Sequence, residues 1–272
     1  VNPSGSEYEN EFVEIFNLYN QKASFDGWLL SDGNSTDTLI LFSGPDSINA
    51  LSYALIIDPD LIINGNIYFD TWPDLLTIYT LKNNSSFGSG GFSNSNEQVI
   101  LLTPENVAID SFSWSMASDN GYSWERIFTD SPSILESWEQ STSYNGTPGQ
   151  TNSVTPPEFG FQIDSMMTKL YFSTIDTTVG VTIYFHNLGQ NALYFADVSI
   201  HYENNTVADS IQNGAWEMNQ SDSLELNFSW LKSGQSDFTA ELSMHDSLDA
   251  QTASFQIKVP FRQNAITITE IL

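Results

Sequence analysis

The chain is a succession of short runs in which apolar and polar residues alternate, each closed by Gly, Pro, Asn or Asp. A period of two sustained over most of a sequence leaves few folds open. Glu11–Asn17 (EFVEIFN), Gly27–Asp32 (GWLLSD), Thr38–Ser43 (TLILFS), Ser52–Asp58 (SYALIID), Asn66–Phe69, Leu76–Leu81, Gln98–Thr103 and Val107–Trp114 (VAIDSFSW) read as strands. Asp32-Gly33 marks a hairpin turn between the second and third, Gly44-Pro45 closes the third, and Pro59 stops the fourth. Asn83–Asn96, rich in Asn, Ser and Gly, reads as a mobile surface loop. Helical periodicity is nearly absent, and Ser47–Leu55 is the best helical candidate.

The pattern pauses at Asn152–Glu158 (NSVTPPE), where the Pro pair favours an extended, semi-rigid spacer. It then resumes as Leu170–Ile175, Val179–His186, Tyr194–Tyr202, Ser223–Trp230, Asp237–Met244 and Ala253–Phe261, with Phe159–Ile163 as a seventh strand and Asn187-Leu188-Gly189 as a turn. Seven strands in about 100 residues match an immunoglobulin-like sandwich. With 272 residues, two domains of ordinary size are expected. The predicted fold is all-β: two immunoglobulin-like β-sandwich domains in tandem, residues 1–152 and 159–262, joined by a linker at 153–158 and followed by a closing strand within 263–272.

That closing segment, Ala265–Leu272 (AITITEIL), alternates and stops without a turn, while Val1-Asn2-Pro3-Ser4-Gly5 is a turn with no strand before it. Because the first residue is Val and not Met, the chain is expected to be a processed or excised piece.

Charge narrows the partners. The chain carries 34 acidic and 7 basic residues, a formal charge of −27, spread over both halves. Such a surface repels phosphate backbones and anionic membranes, so neither nucleic acid nor membrane insertion is expected. No run approaches the roughly 18 apolar residues of a membrane-spanning helix. The absence of cysteine excludes disulfides and thiolate metal sites. Abundant Ser, Thr and Asn with few Lys point to an extracellular or cell-surface setting.

Several pieces in order resemble a lamin tail domain of the bacterial and archaeal type across residues 1–152. They are Asn2-Pro3, Glu11–Ile15 with Asn17, Gly27–Asp32, Gln98–Thr103, Val107–Trp114, Ser123-Trp124-Glu125-Arg126, Trp138, and Gly146-Thr147-Pro148-Gly149 with Asn152. The resemblance implies a compact immunoglobulin-like sandwich with structural and interaction roles and no active site. Members of that family open with an I-x-I-x-E-I strand before the Asn-Pro turn. Here Ile266, Thr267, Ile268, Thr269, Glu270, Ile271 and Leu272 carry that pattern at the opposite end. The second half is similar, in pattern only, to immunoglobulin-like adhesion modules.

Candidate sites are sparse. Arg126, the single Arg of the first domain, is expected to pin the loop Asp119–Asp130 through a carboxylate and backbone carbonyls. Trp28 and Trp138 read as core aromatics, and so do Trp114 and Trp124, whose alternative is an exposed pair stacking on a sugar. His186, His201 and His245 lack metal-ligand spacing. No Ser/His/Asp set, nucleophile elbow, Walker loop or dinucleotide fingerprint occurs, so no enzyme is predicted. Calcium is the only cofactor to consider: Asp32, Asn34 and Asp37 place oxygens on one turn, and Asp58 with Asp60 and Asp70 with Asp74 do so more loosely. Asn-x-Ser/Thr triplets at Asn34, Asn83, Asn84, Asn145, Asn204, Asn219 and Asn227 are candidate glycosylation sites.

The function expected from these features is a structural subunit of a surface filament or layer. Copies would join head to tail as Ile266–Leu272 of one unit completes the lamin-tail-like domain of the next. The alternatives are one excerpt of a long tandem-repeat surface protein, or an adhesin module binding surface glycans or calcium.

Overall fold

The computed structural model describes residues 3, 10–64, 72–82, 86–88, 90–132, 134–172, 177–194, 196–202, 205–211, 215–230, 234–244 and 251–259. The chain falls into two compact units, Val1–Thr155 and Pro156–Leu272.

The first unit contains β1 (Phe12–Phe16), β2 (Leu29–Ser31), β3 (Thr36–Ser43), β4 (Tyr53–Ile57), helix α1 (Pro59–Asn64), β5 (Thr77–Leu81), β6 (Glu97–Leu102), β7 (Ala108–Trp114), β8 (Trp124–Arg126) and β9 (Trp138–Gln140). Strands β1 to β7 form one sheet in the order β1-β4-β5-β3-β2-β6-β7, and β8 and β9 form a separate ribbon. Among the described residues of this sheet, only β4 and β5 run parallel. Strand β3 belongs to both halves of the sheet. Its Thr36–Thr38 pair with β2, and its Leu39–Ser43 pair with β5 through a bulge between Leu41 and Ser43. A bulge adds twist and bends the strand, and the sheet curls into a sandwich. Ile15, Leu39, Ala54, Ile56, Tyr79 and Leu81 from one half meet Leu30, Phe112 and Trp114 from the other in a single core.

Strands β4 and β5 are covered on both faces. The outer face carries Leu55, Ile57, Leu76 and Ile78, which pack with Leu61 of α1. A strand buried on both sides needs a continuous apolar run rather than strict alternation, and β4 (YALII) has one.

Three expectations for this unit are corrected. Ser47–Leu55 is not helical: Ile48 bridges Ala23 in antiparallel fashion, and the segment runs into β4. The helix instead begins at Pro59, which reads as a strand stop but opens the first turn of α1. Proline is pre-set for that position because its missing N–H has no partner to lose, and Asp58 Oδ1 accepts from Asp60 N at 2.9 Å as an N-cap does. Finally, the Asn/Ser/Gly-rich segment 83–96 is not merely a surface loop. Its Phe87 and Phe92 are buried and stacked at 4.8 Å, because two large rings gain more from the core than the polar residues around them lose.

The second unit is a sandwich of two antiparallel sheets. One is β10 (Phe161–Phe172), β11 (Thr177–Asn187) and β14 (Ser221–Trp230). The other is ordered β13 (Asn205–Ile211), β12 (Ala196–Tyr202), β15 (Gly234–Met244) and β16 (Gln251–Val259). This is a seven-stranded, three-on-four immunoglobulin-like arrangement. Val179, Val181, Ile183 and Phe185 of β11 pack with Val198 and Ile200 of β12 and Phe238, Ala240 and Leu242 of β15 in one apolar core.

The strand count agrees with the sequence reading, but two strands are differently composed. Phe159–Ile163 and Leu170–Ile175 are not separate: residues from 161 to 172 form the single strand β10, with an irregularity between Ile163 and Ser165. The seventh strand is β13 (NTVADSI), an edge strand. The Pro-rich linker is likewise absorbed into the units. Ser153 is held by Glu125 in the first unit. In the second, Gln190 N donates to Pro157 O at 2.9 Å and Gln190 Nε2 to Pro156 O at 2.7 Å. The closing strand expected at 263–272 lies outside the described residues, as does Asn66–Phe69.

Leu39 has no exposed surface and sits where the sheet turns from one half to the other. Replacing it with Ala should lower the stability of the first unit by about 2–5 kcal/mol. Denaturant melts of the isolated Val1–Thr155 segment and the whole chain measure this, and a loss below about 1 kcal/mol would mean the core closes without it.

Candidate functional site

Among the described residues the seven-stranded sheet ends at β1 and β7. The two ends differ. Along β1, the segment leading to Ser153 lies close: Glu14 Oε2 accepts from Gly149 N at 2.5 Å. A Cβ added to Gly146 would stand 3.5 Å from the Phe12 ring. Strand β7 has β6 as its one sheet neighbour among the described residues. Phe112 and Trp114 of β7 point into the core, while Val107 and Ile109 are each 56% exposed. An end strand with an apolar exposed stretch is a template for pairing.

Arg126 stands behind this edge. Its Nη2 donates to Asp110 Oδ2 at 2.8 Å and Oδ1 at 3.1 Å, and its Nη1 to Thr129 O at 3.5 Å. Its Cζ lies 4.9 Å from the centre of the Trp138 ring. Trp138 in turn stacks on Phe112 of β7 at 4.0 Å. The guanidinium thus ties β7, the loop after β8, and β9 together. The ion pair involves a half-exposed carboxylate and contributes about 0.2–1 kcal/mol; the cation–π contact adds about 0.5–1 kcal/mol. Trp28 is half-buried against Phe25 at 4.5 Å, and Trp114 and Trp124 are in or against the same core.

A second feature escaped the sequence reading. Acidic side chains reach loop N–H groups throughout this unit. Glu11 Oε2 accepts from Phe92 N at 2.8 Å, and Asp58 Oδ2 from Phe87 N at 2.9 Å. Asp37 Oδ2 accepts from Gly88 N at 3.1 Å. Glu125 Oε2 takes both the N–H and the hydroxyl of Ser153 at 2.7 Å, and its Oε1 takes the Thr147 hydroxyl at 2.9 Å. Partners this far apart leave no local spacing to read, which is why no motif announced them.

The residues considered for calcium take part in this pattern. Asp32 Oδ1 accepts from Asn34 N at 2.7 Å and Ser35 N at 2.6 Å, forming the Asx turn of the β2–β3 hairpin. Asp58 caps α1, and Asp70 lies outside the described residues. Among the described residues no group of three or more His, Asp or Glu is placed to hold a metal. His186 Nδ1 lies 2.6 Å from Asp164 Oδ1, and His201 contacts Ser199 and Thr206. Of the glycosylation candidates, Asn34, Asn219 and Asn227 are exposed and Asn145 is half-buried in a turn. Asn83, Asn84, Asn204 and His245 lie outside the described residues, as do Ile266, Thr267, Ile268, Thr269, Glu270, Ile271 and Leu272.

No protein-family model and no curated protein matches the chain. Among solved structures, one similar chain is the ApaA protein of Bordetella pertussis, at 9% identity and a TM-score of 0.29, covering 39% of this chain and 98% of that one. At that score the likeness carries no argument.

Burial holds the Glu14 carboxyl well above the usual range, against the pull of the Gly149 N–H and with help from the charge on Glu125. Burial likewise raises Asp58 from 3.8 to about 6, opposed by the N–H groups of Asp60 and Phe87. For such groups the folded state binds the proton more tightly than the unfolded one. Their contribution is complete below the ordinary carboxylate pKa and is lost as pH rises through the folded value. Glu14→Gln keeps an acceptor for Gly149 N and removes the charge. The variant should therefore gain on the parent as pH rises and lose that advantage below the ordinary glutamate pKa. Urea melts across that range test this, and an advantage that shrinks with rising pH would refute it.

Proposed function

We propose that this chain is a structural unit of an exported, cell-surface assembly, and that units join by β-strand addition. In this reading Ile266–Leu272 of one unit lies along strand β7 of the next. The observation that carries it is the end of the sheet at β7, which has a sheet neighbour on one side among the described residues and leaves Val107 and Ile109 exposed. The chain's own alternating segment Ile266–Leu272 is chemically suited to that edge. Main-chain hydrogen bonds supply the affinity, and Ile side chains beside the core of Phe112 and Trp114 fix the register. The resemblance of residues 1–152 to lamin tail domains, a structural family, points the same way.

Donor and acceptor surfaces differ, so the contact is heterologous and propagates rather than closing as a dimer. The strand contributes one acidic residue, Glu270, and faces an edge made mainly of neutral backbone groups. That chemistry lets units carrying −27 formal charges meet at a local seam.

The chain has no cysteine, so introduced pairs can be read without interference. Ser111→Cys combined in turn with Ile266→Cys, Thr267→Cys, Ile268→Cys or Thr269→Cys should give, under mild oxidation, a ladder of multiples of ~30 kDa for at least one pair. Non-reducing gels and intact mass measure it. If every pair yields only monomer, strand addition at β7 is wrong. If native material is one very long polypeptide, the seam joins repeats within one chain and separate subunits are excluded.

A further inference from the structure

We propose that the turn Asp119–Tyr122, with Tyr144 and Gln140, is a binding platform for a neutral sugar. Tyr144 is 57% exposed, yet its ring is fixed. One side lies on the backbone of Gly121, where a Cβ would stand 2.2 Å from Cε2, 2.7 Å from Cζ and 2.8 Å from Cδ2. Gly121 also has a φ of +85°, in the left-handed region. Only glycine lets the ring settle there. The edge of Tyr144 is set by Tyr122, whose ring is 5.7 Å away at 83°. The remaining face is offered to solvent, and Asn145 N clamps the segment by donating to Gly121 O at 2.6 Å.

The turn that carries Gly121 and Tyr122 also holds polar groups in fixed positions. Tyr122 N donates to Asp119 O at 3.0 Å, which closes the turn. Gln140 Oε1 accepts from Asp119 N at 2.7 Å, and Gln140 Nε2 donates to Asp119 Oδ2 at 3.0 Å. The two-point contact orients an exposed carboxylate and a half-buried amide. Asp119 Oδ1 and the Tyr144 hydroxyl have no hydrogen-bond partner among the described residues.

A pyranose ring matches this set. Its C–H face covers an aromatic ring, and its hydroxyl rim satisfies a carboxylate and an amide at once. Pre-set rotamers reduce the ordering cost of binding. The carboxylate and the overall charge of −27 exclude acidic sugars and nucleic acid. Trp114 and Trp124 are in or against the core, as expected from the sequence, so the stacking surface is Tyr144.

The test is titration of the full chain, by ligand-observed magnetic resonance, with cellohexaose, chitohexaose, mannohexaose and a galacturonic acid hexamer, and with choline as a cationic comparator. At least one neutral oligosaccharide should bind saturably at or below ~5 mM, and the acidic hexamer should not. Tyr144→Ala should weaken that binding about tenfold or more. Tyr144→Phe, which keeps the ring, should retain it, and Asp119→Asn should weaken it with an unchanged melting temperature. Failure of all neutral oligosaccharides to bind, binding of choline alone, or binding that survives Tyr144→Ala would overturn the proposal.

Discussion

The first unit depends on buried or half-buried carboxylates that accept hydrogen bonds from the main chain of its loops. A domain without cysteine and with three basic residues before Ser153 has neither disulfides nor many ion pairs to hold long connections. It uses backbone N–H groups as the counterpart instead. Glu11 holds the loop at Phe92, Asp58 and Asp37 hold Phe87 and Gly88, and Glu14 and Glu125 hold the segment from Thr147 to Ser153. A hydrogen bond to an ionised acceptor is about twice as strong as a neutral one. The partner in these contacts is polar and uncharged, so the contact itself asks for no basic residue. Part of the acidity of the chain is therefore structural, and need not be read as a signal for an external cation.

The cost of this solution lies in desolvation. Glu14 and Asp58 are raised because burial disfavours their charge more than their N–H partners favour it. Neighbouring acids add to the effect, Glu125 for Glu14 and Asp60 with Asp37 for Asp58. Asn17 and Asn187 do similar work without that penalty. Each ends a strand, is buried, and spends its side-chain amide on the carbonyls of the following loop and its oxygen on an N–H two residues on. The two units share this device at the ends of β1 and β11, where an uncharged side chain can satisfy both donors and acceptors.

What could be read from the sequence follows from these physics. Strands with one face in the core, such as β11 and β14, are legible because their alternation records the face they bury. Strand β13 (NTVADSI) was not, since an edge strand is under weaker pressure to alternate. The three-residue strands β8 and β9 carry too few residues for any period. Helix α1 spans six residues, less than two turns, so it shows no amphipathic repeat, and Pro59 misleads because proline both ends strands and opens helices. Arg126 could be singled out by its scarcity, but its partner Asp110 lies 16 residues back and its ring Trp138 twelve ahead. The carboxylate contacts were invisible for the same reason: the Glu14–Gly149 bond joins residues 135 apart. Tyr144 lacks any local mark, since its fixed pose comes from Gly121.

The contrast between the two ends of the sheet follows from the same staples. On the β1 side, the carboxyl groups of Glu14 and Glu125 accept hydrogen bonds from the segment Thr147–Ser153 and hold it close to that strand. On the β7 side, the corresponding carboxylate, Asp110, is drawn to Arg126 in the layer behind. An ion pair between side chains fixes the layers but leaves the direction of pairing along the sheet untouched. A sandwich that staples one edge through its backbone and braces the other through side chains is asymmetric by construction. Among the described residues, that asymmetry sets β7 apart from β1: its side chains are braced from the layer behind, and β6 is its one sheet neighbour.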